Sequence, residues 1–136
     1  MNMINDLFNY IINDDNFKTN VLKQFKYESA VVMNGKQVGK FIGNGCGITY
    51  LKIDKRSKKS IELDNIVHTL RRKVNNHIYN EWFADEQKTY FQLIGCPVMA
   101  VLQQDQQIQI EFYKRVIQYA KDILKIKNIS YISNLD

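Results

Sequence analysis

The chain has 136 residues, of which 45% are hydrophobic and 24% are charged, with one proline and six glycines. These values are typical of a single globular domain spanning residues 1–136, and they exclude a disordered chain, a collagen and a coiled-coil rod. Nineteen Lys and Arg residues against 14 Asp and Glu residues give a formal net charge of +5. This surplus favours an anionic partner, either a nucleotide, a nucleic acid or an acidic protein surface.

The N-terminal segment lacks the basic region and uninterrupted apolar run of a signal peptide. No stretch reaches the ~18 apolar residues of a membrane span, so we expect no membrane contact. Cys46 and Cys96 do not have the spacing of zinc ligands. We therefore expect a cytoplasmic protein with reduced thiols, no metal and no cofactor. The abundance of Asn, Ile and Lys is typical of AT-rich codons and points to an AT-rich bacterium, or to a phage or mobile element living in one.

The first 27 residues predict two amphipathic helices. Apolar residues recur at helical spacing in each, and the polar run 13–16 between them supplies capping side chains. The apolar residues are Ile4, Leu7, Phe8 and Ile11 in the first helix, and Phe17, Val21, Leu22 and Phe25 in the second.

Three antiparallel strands are predicted next, at roughly 29–34, 37–42 and 47–54. Asn34 and Gly35 form the strongest short hairpin signal in the chain. In the third strand, the alternation through Tyr50 is expected to change face at Leu51.

A polar, basic loop after Asp54 leads into a long helix, for which Ser60 or Asp64 is the expected N-cap. Its apolar stripe comprises Leu63, Ile66, Val67, Leu70, Val74, Ile78 and Trp82. The segment 87–94 is ambiguous between helix and strand, and the apolar run 98–102 suits a further strand.

The last element is predicted as a helix over about 105–126 with Asp105 as its cap. Its apolar residues occupy two adjoining faces, which indicates burial on more than one side and therefore a homo-oligomer. One face holds Ile108, Phe112, Val116, Tyr119, Ile123 and Ile126, and the other holds Ile110, Tyr113, Ile117, Ala120 and Leu124. Together the elements predict an α+β fold, with N-terminal helices, a central antiparallel β-sheet and two long helices in the C-terminal half packed on it.

The basic loop is the first part of a predicted ligand site. Cations and hydroxyl groups stand ahead of a helix whose N-terminus already favours an anion. The candidate residues are Lys55, Arg56, Lys58, Lys59 and Ser60.

The outer face of the following helix is the second part. Its residues His68, Arg71, Arg72, Asn75, Asn76 and Tyr79 share one side at helical spacing. Arginine suits bidentate phosphate contact, and Tyr79 is the aromatic residue expected to be free for base stacking, whereas Trp82 is assigned to the core. From this face we include His68, Arg71, Arg72 and Tyr79 in the predicted site. The plain alternative for both parts is a polar surface exposed to water.

The candidate nucleophile is Cys46 between glycines, with His68 or His77 as base. A strand is predicted to follow Cys46, whereas the pKa of a catalytic cysteine is usually lowered by a helix N-terminus. We therefore predict no catalytic residues.

One resemblance covers about positions 30–75. The hairpin around Asn34–Gly39, the strand Tyr50–Asp54 and the basic loop that opens a helix are similar in order to the GNAT acyltransferases. In that family, a basic residue and two glycines in this loop hold the coenzyme A pyrophosphate. The segment Lys55–Ser60 has the basic residues but neither of the two glycines.

Three classes of function follow. The leading one is a small intracellular, non-enzymatic protein that holds a nucleotide or nucleic acid, to sequester or inhibit a component of host defence. The first alternative, implied by the resemblance, is a degenerate GNAT-like acyltransferase. The second alternative is a protein-interaction module that acts through the C-terminal helix.

Overall fold

The computed structural model describes residues 2–24, 32–33, 36–37, 49–85, 87–88, 101–102 and 105–133. Over these residues the chain forms four α-helices and two small antiparallel sheets, which confirms the α+β class. The elements are α1 (Met3–Ile12), α2 (Asp15–Gln24), β1 (Val32–Met33), β2 (Lys36–Gln37), β3 (Thr49–Ile53), α3 (Lys58–His77), a π-helical turn (Ile78–Trp82), α4 (Gln106–Asp122) and β4 (Ile129–Ser133). Cys46, Cys96 and most of the segment 87–100 lie outside the described residues.

The two predicted N-terminal helices are confirmed as α1 and α2. Side-chain oxygens cap both: Asn2 Oδ1 accepts from the Asn5 N–H at 3.3 Å, and Asp14 Oδ1 accepts from the Phe17 N–H at 3.1 Å. One face of each helix enters the core, through Met3, Leu7, Ile11, Phe17 and Val21.

The predicted hairpin is confirmed where it is described, because β1 and β2 pair antiparallel with Met33 opposite Lys36. The partner of β3 was not predicted. It is β4, with Thr49 opposite Ser133 and Ile53 opposite Ile129. Gln106 Nε2 donates to Thr49 Oγ1 at 3.2 Å and also to Ser133 Oγ, which ties the start of α4 to this sheet.

The predicted change of face within β3 is wrong. Thr49 is buried, Leu51 and Ile53 are half-buried against the core, and Tyr50 is 51% exposed. The strand alternates regularly because one side of the β3–β4 sheet packs against the core and the other side faces solvent.

The long central helix begins earlier than predicted. Ser57, in an extended conformation, is the N-cap of α3, and its Oγ accepts from the Ser60 N–H at 3.2 Å. Ser60 and Asp64 therefore lie inside the helix and do not cap it. The predicted apolar stripe is buried or half-buried along its length, and Trp82 packs edge-on against Phe17 with ring centroids 6.0 Å apart.

Helix α4 runs through the centre of the molecule and packs against α1, α2, β3 and β4. Both of its apolar faces are covered by this one chain, through Ile108, Ile110, Phe112, Tyr113, Val116, Tyr119 and Ala120. The wide apolar surface therefore no longer argues for a homo-oligomer. The predicted end of this helix is also wrong, because α4 stops at Asp122 and leaves Ile123 52% exposed.

His77 lies at the end of α3 between two aromatic rings. Its ring centroid is 5.6 Å from that of Phe8 and 5.3 Å from that of Trp82, both edge-on. Burial lowers the pKa of His77, the neighbouring Glu81 opposes this, and Lys18 lowers the pKa further.

We expect this histidine to make stability depend on pH. The unfolded state, with a pKa near 6.5, binds the proton more tightly than the folded state. Stability should therefore be lost as the pH falls from above 6.5 through the lowered pKa of the folded state. In urea unfolding between about pH 7.5 and about pH 5, His77→Gln should lose less stability than the wild type. His68→Gln, which replaces an exposed histidine on the same helix, is the control. Equal pH dependence in the wild type and His77→Gln would contradict the prediction.

Candidate functional site

Two segments that are distant in the sequence meet at the start of α3. The Asp54 N–H donates to the Asn128 carbonyl at 3.2 Å, which joins the loop after β3 to the connection between α4 and β4. An open cleft of about 420 Å³ lies between the two segments. It is lined by Asp54, Arg56, Ser57, Lys59, Ser60, Leu124, Lys125, Ile126, Lys127 and Asn128.

A second cleft of about 470 Å³ continues from the first, because both are lined by Asp54, Lys127 and Asn128. Its other lining residues are Lys52, Ile53, Ile129 and Ser130. We call the two clefts together the basic groove. Among the residues that the structure describes, its charged lining consists of five cations, Lys52, Arg56, Lys59, Lys125 and Lys127, and one carboxylate, Asp54.

The end of α4 directs two of these cations into the groove. Lys125 has a φ of 59°, in the left-handed region, and the Ile126 N–H donates to the Ala120 carbonyl at 2.9 Å. The chain therefore turns sharply after α4, so that Lys125 and Lys127 line the same cleft as Lys59. The left-handed conformation costs a lysine roughly 1–2 kcal/mol, which other interactions of the turn must offset.

Four lysines of the groove remain available to a ligand. Lys52, Lys59, Lys125 and Lys127 are exposed, and none forms an ion pair with another described residue. Arg56, by contrast, donates from Nε to Asp54 Oδ2 at 2.7 Å. This hydrogen bond holds the pKa of the Asp54 carboxyl below its usual value, so the carboxylate stays ionised and partly neutralises the groove.

Only some residues of the predicted basic loop line the groove. Arg56, Lys59 and Ser60 line the groove, although Ser60 is buried and its Oγ accepts from Ser57 Oγ at 2.9 Å. Lys58 is exposed on the first turn of α3 and is not among the groove residues. Lys55 Nζ instead lies 3.0 Å from Asp64 Oδ2.

The predicted helix face does not join the groove. His68 and Arg72 are exposed, and at 1.5 Å per residue Arg72 lies about 20 Å along α3 from Lys59. Tyr79 is half-buried, with its ring 6.3 Å from that of Phe83 and 6.0 Å from Lys88 Nζ.

Two residues of that face point into the protein. Arg71 is half-buried, and its guanidinium lies near enough to the hydroxyl of buried Tyr113 to oppose the rise that burial causes in the pKa of that hydroxyl. Asn75 is fully buried, and its Oδ1 accepts from the Leu102 N–H at 3.0 Å. The residues grouped as one outer face therefore divide between solvent and core.

Three groove residues, Lys52, Lys125 and Lys127, were not predicted from the sequence. Lys125 and Lys127 flank Ile126 just beyond α4. Because the helix was predicted to continue to about 126, they were not assigned to a turn next to the basic loop. The alternation of Ile129, Tyr131 and Ser133 was the signal for a strand in this region.

Comparison with protein-family models, with curated proteins and with solved structures gives no match for this chain. The resemblance to GNAT acyltransferases therefore gains no support from known proteins.

In the part of the chain that the structure describes, no group of His, Cys, Asp and Glu is arranged to hold a metal ion. No helix there combines the length and the apolar composition that a membrane crossing requires.

Proposed function

We propose that this protein is a non-enzymatic binding protein that holds the phosphate groups of a nucleotide or nucleic acid in the basic groove. The observation that carries the proposal is the convergence of five cations, from β3, the start of α3 and the α4–β4 connection, around one carboxylate. A cleft lined mainly by one sign of charge focuses the field and concentrates ligands of the opposite sign.

The position of α3 supports the same ligand. The first turn of this 20-residue helix contributes Lys59 and Ser60 to the groove. The positive end of the helix dipole therefore adds to the charge of the lysines. Both clefts are open and the lining combines cations with aliphatic side chains, which suits a ligand held mainly through its phosphates.

The composition supports a biological setting for this binding. A small basic chain rich in Asn, Ile and Lys is typical of an accessory protein encoded by a phage or mobile element in an AT-rich host. We propose that it acts in the cytoplasm. Sequestering a signal nucleotide and blocking a host enzyme that acts on nucleic acid are the two roles that this binding would serve.

The two alternatives have less support. An interaction module acting through the C-terminal helix needs a free apolar face, whereas most residues of both predicted faces are buried in the chain. A GNAT-like coenzyme site has only the basic residues in its favour, without the two glycines.

The proposal is tested by removing two groove lysines. We expect Lys59→Ala with Lys127→Ala to weaken binding of ATP, or of a labelled single-stranded 12-nucleotide probe, by about 10- to 30-fold at ~50 mM salt, because each exposed interaction with phosphate contributes about 1 kcal/mol. Isothermal titration measures the ATP affinity and fluorescence anisotropy that of the oligonucleotide. Both lysines are exposed, so the melting temperature should not change.

The matched control is Lys23→Ala with Lys114→Ala, two exposed lysines outside the groove. It removes the same net charge and should retain wild-type affinity within about twofold. An equal loss in both double variants would mean that affinity follows net charge alone. A wild-type protein that binds neither probe would refute the proposal.

Asp54→Asn should have the opposite effect. It removes the Asp54 carboxylate from the groove and frees Arg56 from its ion pair. We expect affinity for ATP or the oligonucleotide to rise by up to about fivefold, the size of a screened surface interaction. Asp64→Asn, which removes a carboxylate that pairs with Lys55 outside the groove, should leave affinity nearly unchanged.

A further inference from the structure

The outer face of the β3–β4 sheet carries an exposed aromatic residue beside the basic groove. Tyr50 lies opposite Ile132, and the two side chains are 51% and 38% exposed. Lys52 and Ser130 form the next outward-facing pair on the same two strands. This face therefore presents an aromatic ring with an aliphatic neighbour, followed directly by a cation.

The sheet face and the groove are continuous. Lys52 and Ser130 both line the second cleft. Residues two apart in a strand share a face, so Tyr50 stands about 7 Å from Lys52 along β3. From Tyr50 the surface leads past Lys52 to Lys127, and then through the shared residues to Lys59.

We propose that the ligand of the basic groove is a single-stranded nucleic acid, with one base stacked on Tyr50 and the adjoining phosphates held by Lys52, Lys127 and Lys59. This inference rests on the proposed function and specifies its ligand class. An aromatic ring next to a row of cations is the arrangement by which proteins bind single strands without requiring a sequence.

The dimensions favour a strand over a mononucleotide. Tyr50 and Asp54 are separated by about 13 Å of extended chain, and the first turn of α3 lies beyond Asp54. A stacked strand advances ~3.4 Å per nucleotide, so a ligand that reaches both ends spans several nucleotides. A duplex fits less well, because its bases are already stacked on one another and not available to Tyr50.

The test compares three labelled ligands by fluorescence anisotropy: a single-stranded 12-nucleotide probe, the same sequence as a duplex, and fluorescent ATP. We expect the single strand to bind about tenfold or more tightly than either of the others. Tyr50→Ala should weaken its binding about tenfold, and Tyr50→Phe should retain it. Tyr79→Ala, which removes an aromatic residue outside the groove, should stay within about twofold of the wild type.

The salt dependence separates stacking from charge. Tyr50→Ala should leave the slope of log affinity against log salt unchanged, because it removes no charge. Lys59→Ala with Lys127→Ala should reduce that slope by roughly 0.7 for each phosphate that is no longer neutralised. Melting temperatures check that each variant is folded.

The failure of the inference is distinct from the failure of the proposed function. If Tyr50→Ala binds like the wild type while the lysine variant loses binding, the groove holds phosphates but Tyr50 stacks no base. Equal affinity for duplex and single strand, or for ATP and single strand, would also overturn the inference. If neither Tyr50→Ala nor the lysine variant loses binding, both proposals are wrong.

Discussion

Replacing Tyr113 with alanine is expected to lower the free energy of unfolding by about 3–5 kcal/mol, the usual cost of removing a large aromatic side chain from a core. Tyr113 is 2% exposed in the middle of α4, and its ring meets that of Phe112 edge-on with centroids 5.1 Å apart. Small domains are stable by about 5–15 kcal/mol, so this change removes a large part of the total. Urea unfolding followed by circular dichroism measures the loss.

The sequence instead predicted that the wide apolar surface of α4, which includes Tyr113, forms a homo-oligomer interface. If α4 formed a dimer interface, polar replacements of Tyr113 and Ile117 would produce a folded monomer. In the structure Tyr113 belongs to the core of its own chain, so such a variant should instead melt far below the wild type. Ile123→Ala, a truncation of a residue that is 52% exposed just beyond α4, is the control and should change stability by no more than about 0.5 kcal/mol. A Tyr113→Ala variant as stable as this control would contradict the assignment.

The hydroxyl of Tyr113 can be tested separately from its ring. Burial raises the pKa of Tyr113, and the positive charge of the nearby Arg71 guanidinium opposes the rise. Tyr113→Phe and Arg71→Ala should each cost about 1–2 kcal/mol, and the double variant should cost less than the sum because both remove one interaction. Arg72→Ala is the matched control, since Arg72 is adjacent in sequence and exposed. Equal effects at Arg71 and Arg72 would mean that both arginines belong to the surface.

A second large loss of stability is expected when the Asn75 side chain is removed. Its buried side chain accepts from the Leu102 N–H, and Leu102 is itself fully buried. Asn75→Ala removes that acceptor from a buried amide, so we expect a loss of about 1–3 kcal/mol in the free energy of unfolding. Asn76→Ala, the exposed neighbour on the same helix, should stay within about 0.5 kcal/mol of the wild type.

Hydrogen exchange provides a local measurement for Asn75. The Leu102 amide should exchange faster in Asn75→Ala than in the wild type, even after correction for the change in global stability. If both asparagine variants are equally stable and the Leu102 amide stays protected, the hydrogen bond contributes nothing and the prediction fails.

Local features of this protein were determined by its sequence alone. The spacing of Leu7 and Ile11, and of Phe17 and Val21, predicted which faces of α1 and α2 are buried. Asp105 was correctly predicted to cap α4, and its carboxylate accepts from the Ile108 N–H at 3.2 Å. Such features depend on residues within one helical turn of each other, so their physical cause lies within a short window of sequence.

The assignment of single polar residues to a face depended on packing between helices. Arg71 and Arg72 are neighbours in the sequence, yet Arg71 reaches Tyr113 on α4 whereas Arg72 is exposed. Successive residues on a helix are rotated by ~100°, so a residue at the edge of the apolar stripe turns inward or outward according to the element beside it. The sequence of α3 does not contain that element.

The basic groove was decided by tertiary structure. Each half is an ordinary run of charges in the sequence, Arg56 and Lys59 in one and Lys125 and Lys127 in the other. They form one site because β3 pairs with β4 and because Lys125 turns the chain after α4. Strand pairing between Thr49 and Ser133 joins residues 84 positions apart. No local pattern specifies such a pair, because its stability comes from the core that α4 and the two strands bury together.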